Sequence, residues 1–258
     1  MDGIELRGSE DISLPLPEGM GAETAQPFRE YVATKAATLR AQAVAMAGPH
    51  ITVGREPWPR LKFMLEVMRA GVIPQTTRTI DEFVAAGAKI ECRDGCSFCC
   101  YQNVDGTIPE AIMVALRLGD PGDARRAAVI ETADAVKGLD DEARIATGRP
   151  CPLLVDRRCS VYTDRPLACR SLTSPNAAQC HQAMNDLDAG RGVTPIEIYL
   201  VLRFLCSGEQ AATRGICRDL GLQDDFVELT QTVAAIIRDP TLIERWAAGE
   251  QVFSACPS

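Results

Sequence analysis

The sequence predicts a mainly α protein in which helical flanks surround an irregular, cysteine-rich core that can hold one short hairpin. Apolar residues recur at helical spacing along most of the chain, and helix-start signals precede several of these stretches. Long strands alternating with helices are not visible in the pattern. Of the 258 residues, 46% are hydrophobic, which is enough for a sizeable core.

The first segment, residues 1–21, is polar and contains two prolines, which predicts a flexible tail followed by a single domain over 22–258. A long helix is predicted from Pro27 to about Ala47, with proline in the first turn. Its apolar residues keep helical spacing: Phe28, Tyr31, Val32, Ala36, Leu39, Ala43 and Met46.

Two further helices are predicted before the first cysteines. One spans about Leu61 to Arg69, carries its apolar residues on one side and is expected to end near Gly71. The next is expected to begin at Thr79, because Thr79 and Glu82 have the spacing of a capping box.

Two helix starts are predicted between the cysteine-rich stretches. Thr107 and Glu110 form a second capping-box pattern, which predicts a helix through about Leu118. Asp120 followed by Pro121 predicts a cap and a first helical residue.

The C-terminal part is predicted to be helical throughout. Thr194 to Glu197 has a capping-box pattern, and the apolar residues that follow, through Cys206, predict a buried helix. Two more helices are expected over Asp224–Arg238 and Pro240–Ala248.

Composition restricts the class of protein. The net charge is −8 and aromatic residues make up 5%, which argues against general binding to nucleic acids or anionic membranes. The start, Met1 to Asp11, has no apolar region of a secretory signal. The most apolar stretch, Ile196 to Cys206, is shorter than the ~20 residues of a membrane helix. We therefore expect a soluble, cytoplasmic protein, where cysteines are metal ligands or catalytic groups more often than disulfides.

The first cysteine cluster lies within nine residues. On a helix its side chains would fall within an arc of roughly 100°. A loop bent at Gly95 would also bring them together. Thiolates this close require a neutralising cation, and cysteine sulfur suits zinc, copper(I) or iron–sulfur clusters. The expected ligands are Cys92, Cys96, Cys99 and Cys100.

The second cluster has longer gaps, in a segment whose Pro, Asp and Arg content favours loops or a small hairpin. Its expected ligands are Cys151, Cys159, Cys169 and Cys180. Eight thiols could form two four-sulfur sites, or one site with spare thiols. Arg157, Arg158, Arg165 and Arg170 could offset thiolate charge or donate to sulfur, or could be solvated surface residues. Three other cysteines carry less information: Cys206 and Cys217 are expected in the core, and Cys256 in the C-terminal tail. Of the only two histidines, His50 and His181, the latter could replace a ligand but is expected on the surface.

Residues 90–182 resemble the YkgJ-type cysteine-cluster family, described as a zinc- or iron-chelating domain. The matching motifs are C-x₃-C-x₂-C-C from Cys92, then Cys151-Pro-Leu-Leu, then Cys159-Ser-Val-Tyr with Arg165-Pro and Cys169-Arg. A further cysteine of the pattern corresponds to Cys180. The resemblance implies metal chelation, and it leaves the helical flanks unexplained.

The sequence is compatible with several functions. Cys92-x₃-Cys96-x-Phe98-Cys99 also fits the cluster motif of S-adenosylmethionine radical enzymes, whose barrel strands the sequence does not predict. A structural zinc module of an interaction protein and a thiol redox or metal-handling protein are further alternatives. A flagellin lysine methylase carries a similar cysteine pattern, so methyl transfer is an analogy only.

The sequence therefore predicts a cytoplasmic metal-binding protein that holds an iron–sulfur cluster, such as a [4Fe–4S] cluster, or zinc through the eight thiolates. The spacing favours iron–sulfur. Whether it is an enzyme, such as an iron–sulfur oxidoreductase or a methyl-transfer enzyme, stays open. A protein partner would be compatible but is not identified.

Overall fold

The computed structural model describes residues 56–192 and 194–256, together with 26–27, 30, 33–34, 37–38 and 41–42. The described residues between 26 and 42 are helical and mostly exposed, in agreement with the helix predicted from Pro27. The predicted tail, the apolar positions of that helix and His50 lie outside the described residues.

A continuous helical segment replaces the two helices predicted before the cysteines. Helix α1 (Pro57–Glu66) passes through a π-helical turn (Val67–Val72) directly into α2 (Ile73–Ala85). The stop expected at Gly71 is therefore wrong, because this residue lies within the π turn. The start expected at Thr79 is also wrong, since the backbone there is already helical.

The segment between the cysteine clusters follows the prediction more closely. Strand β1 (Asp105–Thr107) leads into α3 (Ile108–Arg117), and the capping box of Thr107 and Glu110 is formed as expected. Helix α4 (Ala124–Val136) begins later than Asp120-Pro121 predicted, because the side chain of Asp123 accepts a hydrogen bond from the amide of Arg125. Helix α5 (Asp141–Ala146) follows.

The second cysteine-rich stretch contains the expected hairpin. Strands β2 (Leu154–Val155) and β3 (Arg158–Cys159) pair antiparallel, and a 3₁₀ turn (Tyr162–Asp164) follows. Two helices then carry Cys169 and Cys180: α6 (Leu167–Ser171) and α7 (Ala177–Asp188).

The C-terminal part differs from the prediction at two points. The capping box at Thr194 is not used, and α8 begins at Leu200 (Leu200–Asp219) with its first two side chains exposed. Residues expected to start a helix at Asp224 instead form β4 (Phe226–Glu228), before α9 (Leu229–Arg238). Helix α10 (Thr241–Ala247) matches its prediction.

The core is apolar and mostly helical. Helix α9 packs against α3 and α4, α10 packs against α1, and α8 packs against α6. The largest fully buried side chains include Trp246, Met64 and Ile112. Cys206 and Cys217 lie in this core, as predicted. The mainly α fold class is confirmed.

The two sheets of the described residues are small. Strand β1 pairs antiparallel with β4, and β2 pairs with β3. These pairs do not make the parallel barrel of a radical enzyme. None of the helices in the described part of the chain is both long and apolar enough to span a bilayer.

Candidate metal centre

The first cysteine cluster adopts turns rather than a helix. Gly95 has a φ of +90°, a left-handed conformation that favours glycine. The amide of Cys96 donates to the carbonyl of Arg93 (2.9 Å), and that of Cys100 donates to the carbonyl of Ser97 (3.0 Å). Of the two conformations considered for this segment, the loop bent at Gly95 is therefore the one formed.

The start of α7 holds the beginning of this loop. The amide of Glu91 donates to the carbonyl of Ser174 (3.0 Å), and the amide of Ser174 donates to the sulfur of Cys92 (3.2 Å). The carboxylate of Glu91 accepts from the amide of Ala177 in the first turn of α7 (2.7 Å). Cys180, one turn further along α7, is thereby carried to the first cluster, where it is buried.

The hairpin brings the second cluster to the other end of the loop. Asp156 and Arg157 form its turn with positive φ values of 49° and 62°. Leu154 and Cys159 are directly paired across the hairpin. The amide of Cys151 donates to the carbonyl of Cys100 (2.6 Å), so the two cysteine segments are joined at this point.

Helix α6 places Cys169 beside the hairpin. The buried carboxylate of Glu110 accepts from the amide of Leu167 at the start of this helix (2.7 Å). The guanidinium of Arg170 donates to the carbonyls of Arg165 (2.9 Å) and Thr163, and so fixes the loop between Cys159 and Cys169. Arg170 thus acts on the backbone around the cysteines.

The thiols of the first cluster interact in pairs. Cys92 and Cys96 are hydrogen-bonded, which raises the pKa of Cys92 and lowers that of Cys96 to about 6. Cys99 and Cys100 form a similar pair, in which the pKa of Cys99 is lowered and that of Cys100 is raised. In each pair one sulfur donates the hydrogen bond and the other accepts it.

In the second cluster, burial is the main cause of the raised thiol pKa values. It raises the pKa of Cys151 to about 11, and it also raises that of Cys159. The pKa of Cys169 is raised well above its usual value by burial and by the neighbouring thiols Cys151, Cys99 and Cys159. A cation that replaced the thiol protons would remove this penalty, because it would neutralise the thiolates where they lie.

The donor groups around the sulfurs suit a thiolate-bound metal. Backbone amides donate to the sulfurs of Cys96, Cys151 and Cys159, in each case from the residue two positions later. Arg165 has a buried Nε that finds no hydrogen-bond partner among the described residues, and its charge favours the thiolates of Cys99, Cys159 and Cys169. Hydrogen-bond donors and positive charge around sulfur are what thiolate-bound metal centres use.

The thiols hydrogen-bond to one another instead of converging on a point. Within the described residues, no three His, Cys, Asp or Glu side chains already form a metal-binding arrangement. The donor chemistry nevertheless fits a soft metal, because the expected ligands are all sulfur.

Comparison with known families bears on the same residues. Residues 91–186 match the CxxCxxCC domain family. Its description is "Putative zinc- or iron-chelating domain", and this confirms the cysteine-cluster family predicted from the motifs. The CxxCxxCC domain covers the loop, the hairpin, α6 and most of α7, and it ends before α8. No curated protein and no solved structure matches the chain.

Other candidate residues have different roles. Arg158 forms an ion pair with Asp94 (3.3 Å), and Arg157 lies over the ring of Phe98 (5.8 Å). His181 is exposed, as expected, and its ring centroid lies 3.9 Å from that of Phe98. Cys256, which lies far along the chain from both cysteine clusters, donates to the carboxylate of Asp105 (3.2 Å).

Sequence reasoning missed the residues that join the two clusters. Glu91 and Ser174 connect the loop to α7, and Glu110 connects α3 to α6. The capping-box pattern identified Glu110 as a helix cap, but only the tertiary structure shows its second contact. The sequence around Glu91 and Ser174 contains no comparable signal.

Proposed function

We propose that the protein binds metal through its CxxCxxCC domain, with eight cysteine thiolates as ligands and iron and sulfide, in one or more iron–sulfur clusters, as the bound group. The ligands are Cys92, Cys96, Cys99, Cys100, Cys151, Cys159, Cys169 and Cys180. The number of free thiols fits a reducing compartment, for which we propose the cytoplasm.

One observation supports this function most strongly. Two cysteine segments that are fifty residues apart in the sequence are joined by the hydrogen bond between Cys151 and Cys100. Backbone amides and the unpartnered Nε of Arg165 then surround the sulfurs. A cluster of small apolar residues would need neither the amide donors nor the positive charge of Arg165 beside them.

A structural zinc module is the second candidate. The loop at 92–100 and the short hairpin contain little regular structure to stabilise them. A metal that tied them to α6 and α7 would add its binding free energy to folding, as in small zinc domains. The same thiolates would serve, so the metal itself distinguishes the two candidates.

Metal analysis of protein purified without oxygen tests the proposal. Iron and acid-labile sulfide, with a broad absorption band near ~400 nm, are expected for an iron–sulfur cluster ligated by cysteine. Colourless protein with stoichiometric zinc would favour the structural module. Protein that binds neither metal, even after anaerobic reconstitution, would contradict metal binding altogether.

A further inference from the structure

The eight thiols fall into two sets of four. The Cys180 group comprises Cys92, Cys96, Cys99 and Cys180. The Cys169 group comprises Cys100, Cys151, Cys159 and Cys169. The geometry points to two separate metal centres, one held by each group, each being a zinc ion or an iron–sulfur cluster. This inference rests on the proposed function and adds the number of centres and the division of ligands between them.

Backbone contacts separate the two ends of the cysteine loop. The beginning of the loop contacts the segment before α7 through Glu91 and Ser174, and Phe98 contacts His181 one residue after Cys180. The end of the loop contacts the hairpin instead, where Cys100 accepts from the amide of Cys151. The backbone of the loop is therefore bonded to the segment before α7 at its beginning and to Cys151 at its last residue. Two side chains from the tip of the hairpin also reach the middle of the loop, where Arg158 pairs with Asp94 and Arg157 lies over Phe98.

The interactions of the thiols follow the same division. Cys180 is close enough to Cys96 and Cys99 for their charges to raise its pKa, after the larger effect of burial. Cys92 interacts in turn with Cys96 and Cys99. These interactions connect all four members of the Cys180 group.

The four members of the Cys169 group also interact with one another. The pKa of Cys100 is raised first by its bond to Cys99 and by burial, and then by the charges of Cys99, Cys151 and Cys169. Cys151 interacts with Cys159 as well. The contacts between Cys99 and Cys100 and between Cys99 and Cys169 are the links across the two groups.

Four thiolates are the complete ligand set of a structural zinc ion and of a [4Fe–4S] cluster. Two sets of four interacting thiolates therefore supply all the ligands of two centres, with no thiolate left over. Cys99 and Cys100 contribute to different centres although they are adjacent in the sequence.

The two centres differ in their access to solvent. A cavity of about 200 Å³ borders Cys96 and is lined by Arg93, Phe98, Arg157 and His181 among others. No member of the Cys169 group lines this cavity. A soluble chelator can approach the Cys180 centre through it, so this centre is expected to release its metal first.

Metal stoichiometry of cysteine variants tests the division. The full-length protein is loaded with zinc, or reconstituted with iron and sulfide, and its metal is counted by native mass spectrometry. The wild type is expected to hold two centres, and Cys180→Ser or Cys159→Ser to lose half of the metal. The double variant Cys92→Ser/Cys180→Ser should still hold one centre, whereas Cys180→Ser/Cys159→Ser should hold none. Cys256→Ser, a cysteine outside both groups, serves as the matched control and should keep both.

Other results would overturn the inference in distinguishable ways. A wild type with one centre, or a same-group double variant that loses all metal, would contradict the division but leave metal binding intact. A wild type that binds no metal would instead contradict the proposed function.

Alkylation of the wild type covers the case in which a variant does not fold. The loaded protein is titrated with a chelator in the presence of iodoacetamide, and modified cysteines are mapped by mass spectrometry. The Cys180 group is expected to become reactive together, before the Cys169 group. Simultaneous exposure of all eight would contradict two separate centres.

Discussion

Replacement of Glu110 by glutamine tests how helix α6 is held beside the cysteine clusters. The side chain of Glu110 is 3% exposed, and one carboxylate oxygen accepts from the amide (2.7 Å) and hydroxyl (2.8 Å) of Thr107 and from Gln210 (3.3 Å). The other oxygen accepts from the amide of Leu167 (2.7 Å). Glutamine has a single acceptor oxygen, so its NH₂ group must face one of these donors.

The cost follows from the number of donors at each oxygen. The least damaging orientation keeps three donors on the amide oxygen of glutamine and turns its NH₂ toward the amide of Leu167. One charge-assisted hydrogen bond is then lost and a buried N–H is left unpaired, which together cost about 2–4 kcal/mol. Because Leu167 begins the helix that carries Cys169, the variant should also release metal faster to a competing chelator.

Urea unfolding of Glu110→Gln and of the wild type measures the first effect, and transfer of zinc to a coloured chelator measures the second. Asp140→Asn is the matched control, since Asp140 caps α5 through a hydrogen bond from Ala143 (2.8 Å) and asparagine caps nearly as well. Its unfolding free energy should stay within about 0.5 kcal/mol of wild type. If Glu110→Gln were equally close to wild type, the reasoning on Glu110 would be refuted.

Three further substitutions and one control variant have defined outcomes. Gly95→Ala should lower the free energy of unfolding by about 1–2 kcal/mol and weaken zinc binding, because φ is +90° there. Gly122→Ala is the control, because an added Cβ there meets no atom and the φ of Gly122 is not positive. It should change neither the free energy of unfolding nor zinc binding in the same urea and chelator assays. Arg144→Met should lower the free energy of unfolding by about 1–3 kcal/mol in urea, since it removes the donor to the carbonyl of Arg149, just before Cys151. In metal-free protein, burial raises the pKa of Cys206 to about 12, so the unfolded state loses this proton first and stability falls as the pH rises from about 9 to 12. Cys206→Ala should reduce the slope of unfolding free energy against pH by about 1.4 kcal/mol per pH unit. An unchanged slope would contradict the raised pKa of Cys206.

Local signals predicted elements correctly where nothing distant competed with them. Thr107 and Glu110 form the capping box that their spacing indicated, and the hairpin appears in the segment whose Pro, Asp and Arg content favoured one. The bend at Gly95 was also predictable, because a tight turn between cysteines favours glycine.

The same capping pattern failed where other contacts satisfied the backbone. At Thr79 the chain is already inside α2, so no free amide requires a cap. Near Thr194 the amide of Glu197 donates to the side chain of Gln179 (2.7 Å), and the Thr194 hydroxyl donates to Asp186 (2.7 Å). These tertiary bonds hold the segment outside the helix.

Long-range pairing explains the other differences. The residues at Phe226–Glu228 form a strand because β1, more than a hundred residues earlier, supplies its partner. Likewise, the sequence identified the cysteines but not which of them lie together. That arrangement depends on Glu91, Ser174 and Glu110, whose contacts join segments far apart in the chain.

X-ray absorption at the metal edge of the anaerobically purified protein tests metal binding by the cysteines most directly. Thiolate ligation predicts a first coordination shell of sulfur alone, at about 2.3 Å for zinc. An iron–sulfur cluster would add an iron–iron distance to the same sulfur shell. A first shell dominated by nitrogen or oxygen would contradict the account, because the metal would then lie away from the eight cysteines.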